Sequence, residues 1–416
     1  MTAFDIYWVR SQFPALSMQV NGHPAAFFDG PGGTQVPQRV IDAVSGCLTS
    51  SNANIHGPFA TSRRADEVIA SARAAMANLL GCDAKEIIFG ANMTTLTFAL
   101  SRAVGRELKP GDEIVVTRLD HDANVSPWTA LEELGCVIRW VDIHPEDCTL
   151  DLDDLRRQIT PRTRVVAVGY SSNAVGTIND VQEVVRLAHG VGAIAYIDAV
   201  HYAPHGPIDV KALDCDFLVC SPYKFFGPHS GVLYGKREHL KRLRPYKVRP
   251  AADRIPGRWE TGTQNHEAMA GVTAAVEYLA ELGRRHAPEA EGARAAILAA
   301  YGAIRSYEQQ LFEQLVPAIL EIPGLTFYGI TERERLQQRV PTIAVRMAGR
   351  LPREMAAYLG ERGIFTWDGN YYALNLSERL GVETKGGMLR IGLVHYNTVE
   401  EVHRLLAALR ELAPHS

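Results

Sequence analysis

The sequence predicts an α/β fold with a mainly parallel sheet, because short β-branched runs alternate with segments of helical periodicity from about residue 84 to 240. The strand candidates are continuous apolar runs, which is typical of parallel strands buried on both faces. They are EIIF (86–89), EIVVT (113–117), VIRWVDI (137–143), RVVAVGY (164–170), AIAYID (193–198), DFLVCS (216–221) and GVLYG (231–235). Between most of them lie helical segments such as SPWTALEELG, DLDDLRRQI and VQEVVRLAHGVG. We therefore expect a seven-stranded sheet covered by helices.

A smaller C-terminal α/β domain is predicted after this sheet. Residues 245–265 are rich in Pro, Gly and Arg without periodicity, which predicts a loop. Helical patterns follow over about 266–284 and 288–320, and the second is long enough to bridge two domains. Three strands (LTFYGI, TIAVRMA, MLRIGLV) and two helices (PREMAAYLGERG, TVEEVHRLLAALREL) complete the unit. The predicted division is an N-terminal segment, 1–30, that packs with the small domain, a large domain, 31–285, and a linking helix with the small domain, 286–416.

The composition is that of an ordinary globular protein. The 416 residues are 46% hydrophobic and 22% charged, with a formal net charge of −4, which gives no sign of a nucleic-acid or membrane partner. No stretch has the roughly 18 uninterrupted apolar residues of a membrane span, and the N-terminus lacks a signal-peptide pattern, so we expect a cytoplasmic protein. Six cysteines show no metal-ligand spacing, and none follows Cys220.

Polar residues follow several of the predicted strands, where ligands of parallel sheets bind. Thr94 and Thr95 stand at a predicted helix start, which is either an anion site or a simple cap. Taken alone, Lys224 reads as a lysine at a strand end that keeps its amine in water. The candidates at strand ends are Thr94, Thr95, His121, Asn173, Asp198, His201, Ser221, Tyr223 and Lys224.

Together these residues supply a phosphate cradle, an imidazole, a carboxylate and a lysine at one edge of a sheet. Pyridoxal 5'-phosphate (PLP) needs this set: a lysine for its Schiff base, a carboxylate that keeps the pyridine nitrogen protonated, and donors for its phosphate. Desolvation beside other cations would bring the lysine toward the neutral amine that the chemistry requires. The sequence therefore predicts PLP as the cofactor.

At this point the sequence resembles the class V aminotransferase superfamily, which has fold type I, and within it the cysteine desulfurase branch. The resemblance runs from FFDGPGGTQVP (27–37) to LRIGLVHYNT (389–398). Its strongest blocks are DHDANVSPW (120–128), SSNAVGTIND (171–180), YIDAVH (196–201), SPYKFFGP (221–228) and ETGTQN (260–265). It implies a homodimer with a shared active site and a small amino-acid substrate.

The resemblance also implies a role for each matched residue. Lys224 is similar to the Schiff-base lysine, Asp198 to the partner of the pyridine nitrogen, and His121 to the histidine that stacks on the ring. The phosphate contacts would be Thr94, Thr95, Ser221 and Tyr223, with Thr263 reaching the phosphate of the partner subunit. His201 would face the cofactor's ring oxygen. Substrate-binding roles fall on Asn173, Arg390 and His56. Without the resemblance, Arg390 would read as a surface arginine.

The sequence departs from the desulfurase pattern at three places. His201 stands where desulfurases usually carry a glutamine, and Tyr223 where many carry a histidine. The third departure is the loop cysteine that accepts sulfur as a persulfide: the corresponding region, GIFTWDGNYYALNLSERLGV (363–382), contains none. No other side chain of this region replaces a thiolate nucleophile. The FTWDGNYYA stretch has two interpretations, a wall of the substrate pocket or a surface loop.

The resulting functional hypothesis is a PLP-dependent C–S lyase that works by β-elimination through aldimine and quinonoid intermediates. The alternatives are a class V aminotransferase or epimerase, a desulfurase with an atypical sulfur acceptor such as an upstream cysteine, and a PLP-binding protein without turnover. A dinucleotide-dependent oxidoreductase is disfavoured, because no G-x-G-x-x-G follows the first strand of a βαβ unit.

Overall fold

The structure, a computed structural model, describes residues 4–414. Its strands are β1 Gln19–Val20, β2 His23–Pro24, β3 Ala26–Phe27, β4 Ile87–Gly90, β5 Glu113–Thr117, β6 Val137–Val141, β7 Ile143–His144, β8 Thr149–Leu150, β9 Thr163–Gly169, β10 Ile194–Asp198, β11 Phe217–Cys220, β12 Gly231–Gly235, β13 Leu325–Tyr328, β14 Thr342–Met347, β15 Ile364–Phe365, β16 Trp367–Gly369 and β17 Met388–Gly392. Its α-helices are α1 Ile6–Ser11, α2 Gln38–Ser50, α3 Ala60–Leu80, α4 Met93–Gly105, α5 Ser126–Thr129, α6 Leu152–Gln158, α7 Val181–Gly190, α8 Val210–Leu213, α9 Arg237–Arg242, α10 His266–His286, α11 Gly292–Leu320, α12 Pro352–Glu361, α13 Leu374–Arg379 and α14 Val399–Leu412.

The large sheet contains the seven predicted strands in the order β4-β12-β11-β10-β9-β5-β6. The pairs from β11 through to β6 are all parallel, whereas β12 runs antiparallel to both of its neighbours. Apolar side chains from both faces are buried, because helices cover each side. The predicted α/β fold with a mainly parallel seven-stranded sheet is therefore confirmed.

Two predicted elements differ in detail. The run 137–143 divides into β6 and the separate strand β7, which pairs with β8 instead of the large sheet. The segment 126–135 forms only one α-helical turn, α5, before a 3₁₀ helix over Ala130–Leu134 that ends at Gly135. The left-handed Gly135, with φ 81°, ends this segment.

The smaller C-terminal sheet has the antiparallel order β13-β14-β17-β16, with the short strand β16 added to the three predicted strands. Along β17 the side chains alternate: Leu389 and Ile391 enter the small-domain core, and Arg390 faces the other way. Near the N-terminus β3 pairs with β15, and Asp29 forms a bridge with Gly392. Within residues 4–414, no helix combines the length and the apolar character needed to cross a bilayer.

Candidate active site

A cavity of about 900 Å³ lies at the carboxyl ends of β5, β9, β10 and β11, between the large and small sheets. This is where a mainly parallel sheet places its ligands, since the carboxyl ends of these strands meet at one edge. The cavity brings together eight of the residues predicted from the sequence: Thr94, His121, Asn173, Asp198, His201, Tyr223, Lys224 and Arg390.

Lys224 ends the short 3₁₀ turn that follows β11. Its Nζ donates a hydrogen bond to the carbonyl oxygen of Pro31 and lies 4.8 Å from the centre of the Tyr223 ring. Burial and, to a smaller extent, the nearby Arg390 cation lower the pKa of Lys224, whereas Asp198 and Asp29 oppose them, and the net pKa is about 7. The amine is therefore partly uncharged at neutral pH, as a nucleophile or base must be.

Asp198 ends β10, and its side chain accepts a hydrogen bond from the backbone N–H of Val200 at 2.9 Å. Burial raises the pKa of this carboxyl to about 6. A second buried carboxyl, that of Asp120, also lines the cavity and accepts a hydrogen bond from the backbone N–H of Gly169 at 2.9 Å. Burial raises the pKa of Asp120 to about 7. Of these two carboxyls, only Asp198 was predicted as a site residue from the sequence. Asp120 precedes His121 in the DHDANVSPW block, and this neighbouring position is the feature of the sequence that could have identified it.

His121 presents a neutral ring to the cavity. Its Nδ1 accepts a hydrogen bond from the backbone N–H of Ala123 at 3.0 Å, which assigns the ring proton to Nε2. Burial, together with the charges of Lys224 and Arg390, lowers the pKa of His121 to about 4. The ring of Tyr372 stacks against it, with centroids 5.4 Å apart and planes 21° apart.

Arg390 extends from β17 into the cavity from the small domain. Its Nη1 donates to the carbonyl oxygen of Asn173 at 2.9 Å, and its guanidinium lies 4.3 Å from the centre of the Tyr371 ring. Burial lowers the pKa of Arg390 to about 10, so it remains a cation at neutral pH. Within residues 4–414 its Nε has no hydrogen-bond partner and no carboxylate forms an ion pair with it. A buried guanidinium with free donors is suited to bind a carboxylate.

Residues 367–372 of the FTWDGNYYA stretch form a wall of the cavity, and a contact with substrate stays a prediction. The backbone N–H of Asp122 donates to the carbonyl oxygen of Tyr372 at 2.7 Å, and Asn173 Nδ2 donates to that of Tyr371 at 2.9 Å. Asn370 Nδ2 donates to Glu383 at 3.0 Å. Tyr371 and Tyr372 both have left-handed backbones, with φ of 56° and 61°, which these contacts hold in place.

Four predicted site residues lie outside the cavity of their own chain. Thr95 is exposed, and its backbone N–H is bound by the capping side chain of Asn92 at 2.8 Å. Ser221 is buried just after β11, with no partner for its Oγ among the described residues. Thr263 is exposed in its loop, and His56 is exposed with its Nδ1 2.9 Å from Asp66. Their assigned roles stay predictions.

The six cysteines are free thiols, and none is among the described residues that line the cavity. Five are buried, and Cys82 is half-buried. Burial raises the pKa of the Cys82 and Cys148 thiols to about 12, and it raises that of Cys220 as well. Thiols with pKa values raised in this way are protonated at neutral pH.

Comparison with known proteins places the chain in a family. Residues 26–405 match the family model Aminotransferase class-V. The chain is 32% identical to a cysteine desulfurase from Pectobacterium atrosepticum, over 99% of this chain and 98% of that protein. A solved cysteine desulfurase from Thermococcus onnurineus has a TM-score of 0.87 at 26% identity, covering 99% of both chains. One from Escherichia coli has a TM-score of 0.83 at 28% identity, covering 99% of this chain and 100% of that one. The chain therefore belongs to the class V aminotransferase family and is a PLP-dependent enzyme with the cysteine desulfurase fold.

Proposed function

We propose that this enzyme is a C–S lyase that removes a sulfur substituent from the β-carbon of an α-amino acid. One observation carries the proposal: the cavity combines the amine of Lys224 with the free guanidinium of Arg390, and no described cysteine lines it. The first two groups suit an amino-acid substrate, whereas transfer of sulfur to an enzyme thiol would need a cysteine in the cavity.

The residues present fit PLP. In the cavity, Asn173 Oδ1 is a buried polar atom without a partner among the described residues, and a polar ligand satisfies such an atom. We assign Lys224 to the cofactor's aldehyde, Asp198 to its pyridine nitrogen, His121 to its ring face, and Thr94 with Ser221 and Tyr223 to its phosphate. When bound, PLP supplies an electron sink for the bond that breaks at the substrate's α-carbon.

Each of the cavity's side chains then has its own role in the proposed reaction. Arg390 holds the substrate carboxylate through its free N–H donors, which fixes the α-carbon relative to Lys224. The uncharged Lys224 amine takes the α-proton, and the ionised Asp198 keeps its partner nitrogen protonated. The anchored wall at Tyr371 and Tyr372 closes one side of the cavity and limits the entry of water.

The test is to incubate the enzyme with cysteine, cystine and S-alkyl cysteines while following pyruvate, sulfide and the pyridoxamine form of the cofactor. Elimination predicts pyruvate in stoichiometric amounts with the released thiol and no pyridoxamine form. Accumulation of the pyridoxamine form with a keto acid would instead show aminotransfer, and loss of stereochemistry without pyruvate would show epimerisation. With cysteine as the only substrate, a persulfide trapped on Cys82 or Cys220 would establish desulfuration and overturn the proposal.

We also propose that the enzyme is a homodimer with shared active sites. An apolar groove of about 670 Å³ adjoins the cavity and is lined by α2 and by residues 227–229, and Tyr223 lines both spaces. Ile41 and Leu48 on this face are 42% and 49% exposed, which a second copy of the chain would cover. Thr263 lies outside the cavity of its own chain, so a phosphate contact by Thr263 would have to be made in the partner's cavity.

Mixing the Lys224→Ala and Thr263→Ala variants tests this arrangement. In a mixed dimer one site carries both changes and the other carries neither, so subunit exchange at equal amounts should restore about a quarter of the sites. Absence of restoration would show that each site is built by one chain. Leu48→Glu should give monomers by light scattering, whereas Leu298→Glu, at a 41% exposed position on α11, should leave the dimer intact.

A further inference from the structure

A buried arginine outside the cavity joins the loop after β9 to the small sheet. Arg339 is 5% exposed and directly follows the 3₁₀ helix Arg333–Gln338. Its Nη2 donates to the carbonyl oxygens of Val175 and Thr342, both at 2.6 Å, and its Nη1 donates to that of Ile330. Val175 lies in the loop after β9, whereas Ile330 follows β13 and Thr342 begins β14. One guanidinium therefore binds the backbone of both regions.

The Arg339 cation is buried without a counter-charge. Within residues 4–414 no carboxylate forms an ion pair with it, and the rings of Phe312 and Phe327 each lie with their centre 5.1 Å from its guanidinium carbon. Burial lowers the pKa of Arg339 to about 9, so the side chain remains a cation at neutral pH. Because the burial of a charge is costly, the hydrogen bonds to three carbonyl groups are the feature that an apolar side chain would lack here.

The Val175 carbonyl belongs to a compact turn, residues 172–177, that also carries Asn173. The N–H of Ser172 donates to the carbonyl oxygen of Thr177 at 2.8 Å. The hydroxyl oxygen of Ser172 accepts a hydrogen bond from the N–H of Val175 at 3.3 Å. Since these bonds close the turn on itself, a displacement of Val175 would move Asn173 with it.

The backbone of this turn also contacts the start of β14. The N–H of Val340 donates to the carbonyl oxygen of Gly176 at 2.9 Å. Gly176 has a left-handed backbone, with φ of 81°, and a Cβ there would lie 2.5 Å from the carbonyl oxygen of Thr342. Arg339 binds that same oxygen. The turn and the start of β14 are therefore packed too closely for a side chain to fit between them.

The same turn orients Arg390. The carbonyl oxygen of Asn173 accepts a hydrogen bond from Arg390 Nη1 at 2.9 Å, and Arg390 pairs with Ala344 of β14. Among the described residues neither Nε nor Nη2 of Arg390 has a hydrogen-bond partner. With Nη1 bound to Asn173, the edge formed by Nε and Nη2 is the one that can bind a carboxylate through paired donors. The direction of this edge depends on the position of the Asn173 carbonyl.

We propose that Arg339 is a positioning residue for substrate binding: by binding the Val175 carbonyl it fixes the turn, and the turn directs the Arg390 guanidinium toward the substrate carboxylate. This inference rests on the proposed role of Arg390 in binding that carboxylate. Arg339 is not among the described residues that line the cavity, so it acts through the turn and not by contact with substrate. A contact through paired donors depends on their angle, and a small displacement of the guanidinium weakens it.

The main test compares an amino-acid substrate with its carboxamide in the Arg339→Gln holoenzyme. Glutamine is uncharged and shorter than arginine, so it cannot bind all three carbonyl oxygens. We expect KM for the carboxylate to rise by about tenfold or more, with a much smaller effect on kcat and on KM for the carboxamide, because Arg390 would be present but misdirected. A variant with the wild-type preference for the carboxylate would overturn the proposal.

Arg294→Gln is the matched control, because Arg294 makes the same kind of bonds outside the described cavity lining. It donates to the carbonyl oxygens of Asn78, Leu79 and Ile208 at 3.1, 2.6 and 2.7 Å. Its replacement should lower the free energy of unfolding and leave the preference for the carboxylate unchanged. An equal loss of preference in the two variants would indicate a general effect of destabilisation and contradict the proposal.

Gly176→Ala displaces the turn without changing Arg339, and it serves also if Arg339→Gln does not fold. The added Cβ would push the turn away from Thr342, so the rise in KM for the carboxylate should appear again. Gly192→Ala controls for backbone strain, since Gly192 has a φ of 73° but open space where a Cβ would lie. It should leave KM unchanged. The same preference in both alanine variants would contradict the role of the turn.

The double variant Arg339→Gln/Arg390→Ala separates positioning from a structural role. Without the Arg390 guanidinium there is nothing for Arg339 to direct, so the preference for the carboxylate should be no weaker than in Arg390→Ala alone. Additive losses would assign Arg339 a merely structural role.

Hydrogen exchange gives a readout that does not depend on turnover. The Val340 amide binds the carbonyl oxygen of Gly176 in the turn, so its exchange should be faster in Arg339→Gln than in the wild type or in Arg294→Gln. Equal exchange in the three proteins would show that Arg339 does not fix the turn.

Failure of the proposed function would give a different result. The products distinguish elimination from aminotransfer and epimerisation, whereas the preference for the carboxylate can be measured with whichever product forms, or from amino-acid binding by calorimetry if none forms. If Arg390→Ala loses the preference and Arg339→Gln keeps it, only the role of Arg339 fails. If Arg390→Ala keeps the preference, the carboxylate site assigned to Arg390 and the role of Arg339 fail together.

Discussion

The guanidinium of Arg390 lies 4.3 Å from the centre of the Tyr371 ring and donates to the carbonyl oxygen of Asn173, whose side chain in turn binds the carbonyl oxygen of Tyr371. Arg390 lies in the small sheet, Asn173 in the loop after β9, and Tyr371 in the cavity wall. Their closed set of contacts orients the buried cation that β17 supplies to the cavity.

Arg390→Ala should raise KM for amino acids that carry a free carboxylate by about 2–4 kcal/mol in apparent binding, because a buried charge would lose its partner. Arg390→Lys should recover only part of this, since an ammonium lacks the planar paired donors. Steady-state kinetics with an amino acid and its carboxamide check both points. An unchanged preference for the carboxylate would remove Arg390 from the substrate site.

Lys224→Met should stabilise the cofactor-free protein, and more so at low pH. The pKa of Lys224 is about 7 in the fold and 10.5 in its ordinary state, so the unfolded chain binds more protons between these values and wild-type stability rises with pH there. Below pH 7 the penalty is complete, at most about 4–5 kcal/mol from the size of the shift. Thermal unfolding at pH 6 and pH 9 should show the larger gain at pH 6.

A lysine whose pKa is raised instead of lowered in the fold provides the control for this measurement. Lys236 forms ion pairs with Asp214 and Asp216, at 2.7 and 3.1 Å, which raise the pKa of Lys236. Lys236→Met should therefore lower the free energy of unfolding at both pH values. If Lys224→Met also lowered the free energy of unfolding at both pH values, burial of the wild-type Lys224 amine would not be destabilising.

Asp198→Asn should lower kcat for elimination by about 10²–10³-fold, because the carboxylate that holds the pyridine nitrogen protonated would be lost. The cofactor's absorbance should shift as well, which a loss of folding alone would not produce. Asp216→Asn is a suitable control, since that buried carboxylate binds His189 and His239 at the other end of β11. It should reduce stability and leave the absorbance of bound PLP unchanged.

Tyr372→Cys should introduce a thiol that becomes a persulfide during incubation with cysteine. Tyr372 stacks on His121 at the cavity wall and is 72% exposed, so a thiol there faces both substrate and solvent. Leu374→Cys places a thiol two residues further, on α13 and outside the cavity lining, and should remain unmodified. Mass spectrometry after alkylation compares the two. Equal modification of both would indicate transfer of sulfane sulfur from a polysulfide or small persulfide in solution instead of transfer at the site.

The sequence predicted the large sheet and the strand-end residues because both follow local rules. An apolar run ending in a polar residue is visible in a few consecutive positions, and the carboxyl ends of parallel strands meet wherever the sheet forms. Lys224, Asp198 and His121 were found in this way. Arg390 was found only through the family resemblance, because nothing local distinguishes a buried arginine from an exposed one.

The remaining features depend on contacts between distant segments. Asp29 approaches Arg390 because it forms a bridge with Gly392 on β17, and burial there raises the pKa of Asp29 to about 6. Glu308 sits on a long helix whose pattern gives no sign of a buried carboxylate, and it meets His205 across 103 positions of sequence. Such pairs depend on how segments distant in the sequence pack against one another, which periodicity and spacing do not specify.

Because side chains alternate between the two faces of β17, the register that the preceding turn sets for this strand decides whether Arg390 faces the cavity. Gly386 and Gly387 have left-handed backbones, with φ of 83° and 70°, and a Cβ on Gly387 would come within 2.2 Å of the Gly369 carbonyl oxygen. The turn is therefore tightly constrained. One inserted residue that shifted the register of β17 would exchange the two faces of the strand, turning Arg390 into the small-domain core and Ile391 toward the cavity. A change of length at this point keeps Arg390 in the site only if the turn absorbs it or the register shifts by an even number of residues.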